Sequence, residues 1–149
     1  MSDIRIEPAT HADAGALLAL MERAHLPTDG LSDHLDAALV ARDGDRIVGS
    51  AAIEIYADGG LLRSVAVDAG HRGAGLGERL TAAAIEAAER RELPALYLLT
   101  TTAERFFPRF GFERIAREDV PASVQASIEF RGACPDSAVV MLKRLDGSR

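Results

Sequence analysis

A glycine-rich loop between an apolar strand and an amphipathic helix is the sequence feature that most constrains the fold. Leu61–Val67 is predicted as a buried strand, and the loop Gly70–Gly77 opens a helix that runs to about Arg91. Pro94 separates this helix from a second apolar strand, Ala95–Leu99. A strand, a helix and a strand in this order form a βαβ unit, so we predict that the two strands are parallel neighbours.

The segments on either side of this unit predict antiparallel strands. Alternating apolar residues predict strands at Ile4–Ile6, Leu39–Ala41 and Arg46–Tyr56, and two late strands follow at Phe112–Arg117 and Ala138–Leu142. No internal repeat or linker divides the chain. We therefore expect one α/β domain over residues 1–149, with a mixed, mostly antiparallel central sheet, one parallel strand pair and flanking helices.

The composition limits the partners of the protein. A net charge of -6 disfavours nucleic acid, which needs a basic surface. No apolar run reaches the roughly 18 residues of a membrane span, and the first residues lack a signal peptide. The single Cys134 excludes an intramolecular disulfide, and the four histidines show no metal-ligand spacing. We expect a cytoplasmic protein that binds no metal, nucleic acid or membrane.

The glycine-rich loop itself predicts an anion site. Its core is Arg72-Gly73-Ala74-Gly75-Leu76-Gly77, and unpaired amides at the start of a helix attract phosphate. The only lysine, Lys143, lies far from this loop, which excludes a Walker A motif. The dinucleotide fingerprint also fails, because Glu78 or Leu80 stands where it needs glycine. Taken alone, such a loop is as typical of a tight turn as of a phosphate site.

Two motifs resemble those of the GNAT N-acetyltransferase superfamily. The pattern R-x-x-G-x-G from Arg72 to Gly77 resembles its acetyl-CoA loop, and Ala103–Phe112 resembles its A-x-x-x-(Y/F)-x-x-x-G-F helix. The resemblance spans roughly Ile4 to Leu142. It implies the GNAT fold with a splayed parallel strand pair, an acyltransferase enzyme and acetyl-CoA as co-substrate. It also allows a homodimer, although no segment marks an interface.

The resemblance implies roles for individual residues. The backbone of Val65 and Val67 would pair with the pantetheine arm, and the loop amides would hold the pyrophosphate; packing in the core is the alternative for both valines. Phe107 takes the position where many relatives have a tyrosine that protonates the thiolate. Because phenylalanine cannot donate a proton, the acid is absent or replaced by water, Tyr97 or a hydroxyl of Thr100–Thr102. The implied cofactor residues are Val65, Ala66, Val67, Arg72, Gly73, Ala74, Gly75, Leu76, Gly77 and Phe107.

Four segments narrow the resemblance to the arsenic-resistance N-acetyltransferase subgroup. They are Leu26–Thr28, Leu61–Val67, Leu96–Ala103 and Ser127–Phe130 with Cys134-Pro135. The implied acceptor is the primary amine of a small molecule, an amino acid or a toxic amino-acid analogue. Other GNAT domains that act on amino acids share parts of the pattern.

Glu54 is the candidate catalytic base. If Asp58-Gly59 forms a two-residue hairpin turn, Glu54 faces Arg63 across the ladder on the same side of the sheet. Arg63 would then hold a substrate oxyanion while Glu54 receives the amine proton; a structural ion pair is the equally weighted alternative. A turn centred one residue later would pair Glu54 with Ser64 instead.

Further candidates lie near the acceptor. Ser64 and Glu129 are candidate substrate residues with Arg63, although an exposed surface charge is the favoured interpretation of Glu129. Cys134 shows no sign of activation, which favours direct transfer in a ternary complex over an acyl-cysteine intermediate. Two other functions remain open: an acyl-CoA-binding sensor with little turnover, suggested by Phe107, and acetylation of proteins or peptides.

Overall fold

In the part of the chain that the structure describes, seven strands form one central sheet. The computed structural model of the protein describes residues 4–134 and 137–145, so Pro135 lies outside the described residues. The strands are β1 (Ile4–Pro8), β2 (Ala38–Asp43), β3 (Arg46–Tyr56), β4 (Gly59–Val67), β5 (Ala95–Thr100), β6 (Glu113–Ile115) and β7 (Val139–Arg144). Their order across the sheet is β1-β2-β3-β4-β5-β7-β6. The α-helices are α1 (Ala14–Arg23), α2 (Leu76–Arg90) and α3 (Ala122–Gln125).

The predicted sheet topology is confirmed. β4 and β5 form the parallel pair, with α2 as the crossover between them, and the other strand pairs of the described residues are antiparallel. The predicted bounds of β3 are those of the structure, and the other strands differ by a few residues at their ends. Among the described residues, no helix has the length and apolar character needed to cross a bilayer.

Helices cover both faces of the sheet because alternate strand residues are apolar on each side. On one face, Leu80 of α2 packs against Ala51 and Leu62. On the other face, Met21 of α1 packs with Val40 of β2. α3 covers this same face further along, over a cluster that includes Leu61, Tyr97, Val124 and Val140.

The parallel strands separate well before their carboxyl ends. β4 and β5 are paired only at Gly60–Leu96 and Leu61–Tyr97. Beyond this point β4 contains a β-bulge against β3, where Ser64 has a φ of 58° and its carbonyl accepts a hydrogen bond from Ser50 Oγ at 2.7 Å. The expected splay is therefore confirmed, and it leaves a gap in the sheet between β4 and β5.

The predicted register between β3 and β4 is wrong by two residues. Tyr56 pairs with Gly59, so the turn residues are 57–58, and Glu54 pairs with Leu61 instead of Arg63. Gly59 serves a close approach rather than the turn, because a Cβ there would lie 2.9 Å from the Ala95 carbonyl oxygen. Side chains repeat every two residues in a strand, so the shift leaves Glu54 and Arg63 on one face as diagonal neighbours.

The spacings of Thr10 to Asp13 and of Thr101 to Glu104 each predict a capping box at the start of a helix, and the two have different outcomes. At the first, the Asp13 carboxylate accepts a hydrogen bond from the Thr10 amide at 2.8 Å, as the sequence predicts. After β5, the amide of Ala103 donates to Thr100 Oγ1 at 2.9 Å, so the capping hydroxyl comes one residue before the predicted Thr101. Gly111 ends the following short 3-10 helix in the left-handed conformation, with a φ of 92°.

Candidate active site

A groove of about 840 Å³ opens where β4 and β5 separate. One wall is the end of β4 with the glycine-rich loop and the start of α2, and the other wall is the segment after β5. The predicted cofactor residues in its lining are Val65, Ala66, Val67, Arg72, Gly73, Gly75, Leu76, Gly77 and Phe107. Ala74 belongs to the same loop but is not part of this lining. The structure thus brings nine of the ten predicted cofactor residues to one groove.

The glycine-rich loop turns sharply before α2. Gly73 and Gly75 have φ values of 88° and 80°, which residues with a side chain rarely adopt. A Cβ built on either would have no atom of a non-neighbouring residue within 4 Å. Arg72 Nε donates to the Val67 carbonyl at 3.1 Å, which ties the loop to the end of β4. The first amides of α2 therefore border the groove, in the arrangement that binds phosphate.

The opposite wall contains groove residues that were not among the predicted cofactor residues, although the hydroxyls of Thr101 and Thr102 were candidates for the missing acid. They are Thr101, Thr102, Ala103, Glu104, Arg105, Phe106 and Arg109. The Phe106 ring packs edge-on against Phe107 with centroids 5.1 Å apart, and the Arg109 guanidinium lies over Phe106 at 5.6 Å. Ala103–Phe106 and Arg109 belong to the second motif, so the motif marked this wall in the sequence. The resemblance implied only its Phe107 as a cofactor residue.

A second cavity of about 390 Å³ continues from the groove through the gap in the sheet. Both are lined by Val65, Thr101, Thr102, Ala103 and Phe107, so these residues form their common boundary. The second cavity is also lined by His25, Leu26, Pro27, Leu62, Arg63, Ser64, Leu98, Leu99, Thr100, Glu129, Cys134 and Ala138. Tyr97, one of the predicted replacements for the missing acid, lies in the core beneath α3 and lines neither cavity.

A buried ion pair lies behind the second cavity. Arg63 Nη1 donates to Glu54 Oε2 at 2.8 Å, and both side chains are 0% exposed. Because a charge inside a protein is costly unless it is paired and hydrogen-bonded, both side chains need further hydrogen-bond partners within the protein.

Arg63 uses its guanidinium to bind the segment between α1 and the 3-10 helix Leu31–Ala37. Nη1 also donates to the Asp29 carbonyl at 2.6 Å, and Nη2 donates to the Pro27 carbonyl at 3.1 Å. Nε donates to Ser64 Oγ at 3.0 Å. Four of the five N–H donors of a guanidinium are thus bound within the protein. Although Arg63 belongs to the lining of the second cavity, its side chain is 0% exposed and its donors are bound within the protein, so the geometry supports the ion-pair interpretation.

Glu54 is equally enclosed. It accepts hydrogen bonds from Ser127 Oγ at 2.5 Å and from the Tyr56 hydroxyl, and it lines neither cavity. Burial alone would raise the pKa of Glu54, but the hydrogen bonds from Ser127, Tyr56 and Arg63 outweigh it and lower that pKa. A carboxylate with these partners is an anion at neutral pH without access to an acceptor amine.

Glu129 is the carboxylate that faces the second cavity. It lies in the π-type turn Glu129–Ala133, and its side chain is 5% exposed, so the favoured interpretation as a surface charge is wrong. Its Oε2 lies 3.3 Å from Arg63 Nε, and its backbone amide donates to Ser127 Oγ at 3.2 Å. Ser127 therefore links this turn to the buried ion pair.

The ionisation of Glu129 differs from that of Glu54. Burial raises the pKa of Glu129 to about 7, and the Glu54 and Asp29 carboxylates act in the same direction. Arg63 and the Cys134 thiol favour the charged form but do not outweigh burial. Burial and Glu129 together raise the pKa of Cys134 to about 12, so this cysteine stays a thiol and not a nucleophilic thiolate.

The sequence matches the family model of the acetyltransferase (GNAT) domain over residues 34–114, just over half of the chain. The chain therefore belongs to the GNAT acetyltransferases, a family of acyltransferase enzymes. No match is found among curated protein sequences.

Solved structures share the fold. N-acetylglutamate synthase from Neisseria gonorrhoeae, complexed with coenzyme A and N-acetyl-glutamate, has a TM-score of 0.81 and 22% identity over 97% of this chain. This chain covers only 36% of that protein. A Mycobacterium tuberculosis protein in complex with CoA has a TM-score of 0.77 and 22% identity, over 95% of this chain and 99% of that one. A GNAT-family acetyltransferase from Staphylococcus aureus Mu50 has a TM-score of 0.76 and 18% identity, over 96% and 99%.

Replacing Glu54 with glutamine tests the buried pair. Glu54→Gln leaves Arg63 without its main counter-charge, and we expect a loss of about 3 kcal/mol in the free energy of unfolding. This is the low end for a broken buried pair, because Glu129 can ionise against Arg63 in the variant. Urea unfolding at neutral pH measures the loss. Glu89→Gln, on the exposed face of α2, is the matched control and should change stability little. An equal effect of both variants would contradict the pairing.

The raised pKa of Glu129 predicts a pH dependence of stability. Below its ordinary pKa of 4.5 the group is protonated in both states; as pH rises towards about 7, the unfolded chain ionises first and the fold loses stability. The pKa difference corresponds to about 3 kcal/mol. Because Glu129→Gln cannot titrate, its stability relative to wild type should rise by that amount between about pH 4 and pH 8. Urea unfolding across this range measures it, and a constant difference would contradict the assignment.

Proposed function

We propose that this protein is an acetyl-CoA-dependent N-acetyltransferase that acetylates the primary amine of a small acceptor. The observation that carries the proposal is the junction of two cavities at the splayed strands, with Val65, Phe107 and Thr101–Ala103 as their shared boundary. A thioester in the groove and an amine in the second cavity would meet there without a covalent enzyme intermediate.

The groove suits coenzyme A. The amides of Arg72–Gly77 would hold the pyrophosphate, and the backbone of Val65 and Val67 would pair with the pantetheine arm as an added strand. Solved relatives of the same fold are complexed with coenzyme A, which supports this assignment.

The second cavity suits a small acceptor. Its volume of about 390 Å³ lies in the range of small-molecule sites. Besides Glu129, its polar groups include the Thr100–Thr102 hydroxyls, with His25 among its other lining residues. We assign α-amino acids or their toxic analogues as the acceptor class, and the N-acetyl-glutamate complex of the Neisseria gonorrhoeae structure supports it.

Thiol release separates this function from that of a sensor. Phe107 cannot protonate a departing thiolate, which is the observation that favours an acyl-CoA-binding module with little turnover. Isothermal titration with acetyl-CoA and a thiol assay over amino acids, their decarboxylated amines and a lysine peptide should give binding and release with the small α-amino acids. Binding without release would favour the sensor, and release confined to the peptide would favour protein acetylation.

A glycine-to-alanine change in α2 tests the groove. A Cβ on Gly77 would meet Val67 at 3.7 Å and Phe106 at 3.8 Å, which are ordinary contacts, so the fold accepts Gly77→Ala. The new methyl group would face the groove, and we expect the Kd for CoA to rise by about tenfold, equivalent to some 1.4 kcal/mol. Titration calorimetry measures the affinity.

The matched control is Gly15→Ala. Gly15 is likewise the second residue of its helix, and no atom lies within 4 Å of a Cβ built there. Both substitutions favour the helical conformation by up to about 1 kcal/mol, but only the change at Gly77 should weaken CoA binding. Equal affinities in the two variants would contradict the proposed location of the cofactor.

A further inference from the structure

We propose that Glu129 is the catalytic base, which takes a proton from the ammonium group of the acceptor before acyl transfer. The proposal rests on the proposed function. It assigns the base to the segment after α3, whereas the sequence analysis predicts Glu54 of the central sheet. It follows from the different surroundings of the two buried carboxylates: Glu54 is enclosed by protein groups, and Glu129 lines the second cavity.

Two carboxylates and one guanidinium meet behind the second cavity. Glu54 takes Arg63 as its partner at 2.8 Å and accepts two further hydrogen bonds, so its charge is compensated inside the protein. Glu129 lies 3.3 Å from the same guanidinium, whose Nε already donates to Ser64 Oγ at 3.0 Å. The His34 imidazole also lies 3.9 Å from Glu54 Oε1. Of the two carboxylates that share Arg63, Glu54 has the closer contacts with cations and hydrogen-bond donors, and Glu129 is the less compensated one.

The less compensated carboxylate faces the place where an acceptor would bind. Glu129 lines the second cavity, whose boundary with the groove includes Val65 and Phe107. An ammonium bound in this cavity would therefore lie in the same space as the Glu129 carboxylate, with a thioester at the boundary. Glu54 has no such exposure, since it lines neither cavity.

The surroundings of Glu129 suit proton transfer at neutral pH. The charged or titratable groups that act on it are Arg63 and Glu54 from the sheet, Asp29 from the segment after α1, and Cys134, which directly follows its own turn. Their combined effect with burial brings the pKa of Glu129 to about 7. A base is most effective when its pKa lies near the working pH, because it is then both available and able to hold the proton.

The proton balance needs no other acid. Glu129 as carboxylate takes one proton from the ammonium, and the free amine lone pair forms a C–N bond to the thioester carbonyl carbon. When the C–S bond breaks, the departing sulfur takes the electron pair and a second proton, which comes from the same nitrogen. Glu129 then returns its proton to solvent. The products are the amide and CoA thiol, and the absence of a hydroxyl on Phe107 is accommodated.

The test is the pH profile of Glu129→Gln with the best acceptor of the amine panel. We expect kcat/KM near pH 7 to fall by about 100-fold or more, while the affinity for CoA by calorimetry is unchanged. The wild-type profile should bend near pH 7, and the variant profile should instead keep rising towards the pKa of the acceptor amine. Glu129→Asp, which keeps a carboxylate, should recover part of the rate and retain a bend. Glu89→Gln is the exposed control and should leave the profile unchanged.

The failure of this proposal differs from failure of the proposed function. If wild type releases thiol and Glu129→Gln keeps both its rate and the bend near pH 7, Glu129 is not the base, although the acetyltransferase function stands. A variant that loses rate but keeps the wild-type bend also overturns the proposal, since Glu129 would then act only through structure. If no amine of the panel gives thiol release with wild type, the proposed function and the base assignment both fail.

Discussion

The enclosed guanidinium of Arg63 is the interaction on which the candidate site depends. It binds the Pro27 and Asp29 carbonyls of the segment after α1, pairs with Glu54 on β3, and lies beside Glu129 of the turn after α3. Segments that are far apart in the chain therefore share one buried cation. Because that cation loses much of its hydration inside the protein, each partner is held in place by the cost of leaving a charge unpaired. The second cavity owes its shape to this arrangement, since Arg63, Pro27 and Glu129 all line it.

The bulge in β4 gives this strand two different functions along its length. Up to Leu61 it is an ordinary central strand, paired with β3 on one side and β5 on the other. Beyond Ser64 it keeps β3 but has lost β5, so one backbone edge faces the groove. A splayed pair leaves backbone donors and acceptors available to a ligand without a free strand at the edge of the sheet.

Much of the fold and half of the site could be predicted from the sequence. The βαβ unit and the loop Arg72–Gly77 were predictable because strand and helix periodicity and glycine placement are local properties. The register at Glu54 could not be predicted, because Gly59 is required by its close approach to β5, a strand that is distant in sequence. The face was nevertheless predicted correctly, since an error of two residues preserves side-chain parity. Glu129 was misjudged for a similar reason: its burial comes from Arg63 and Ser127, and no local pattern around it reveals that contact.

The ring of Phe107 has a consequence for substrate range. It is held edge-on between Phe106 and Phe112, with centroids 5.1 Å and 5.8 Å away, and it borders both cavities. Under the proposed function, this partition would make the two ligands compete for room, because a longer acyl chain would extend past the ring into the volume that an acceptor needs. A longer acyl chain would then leave room only for a smaller acceptor. A substitution at this one aromatic position could therefore widen the range of thioesters and narrow the range of amines, or the reverse.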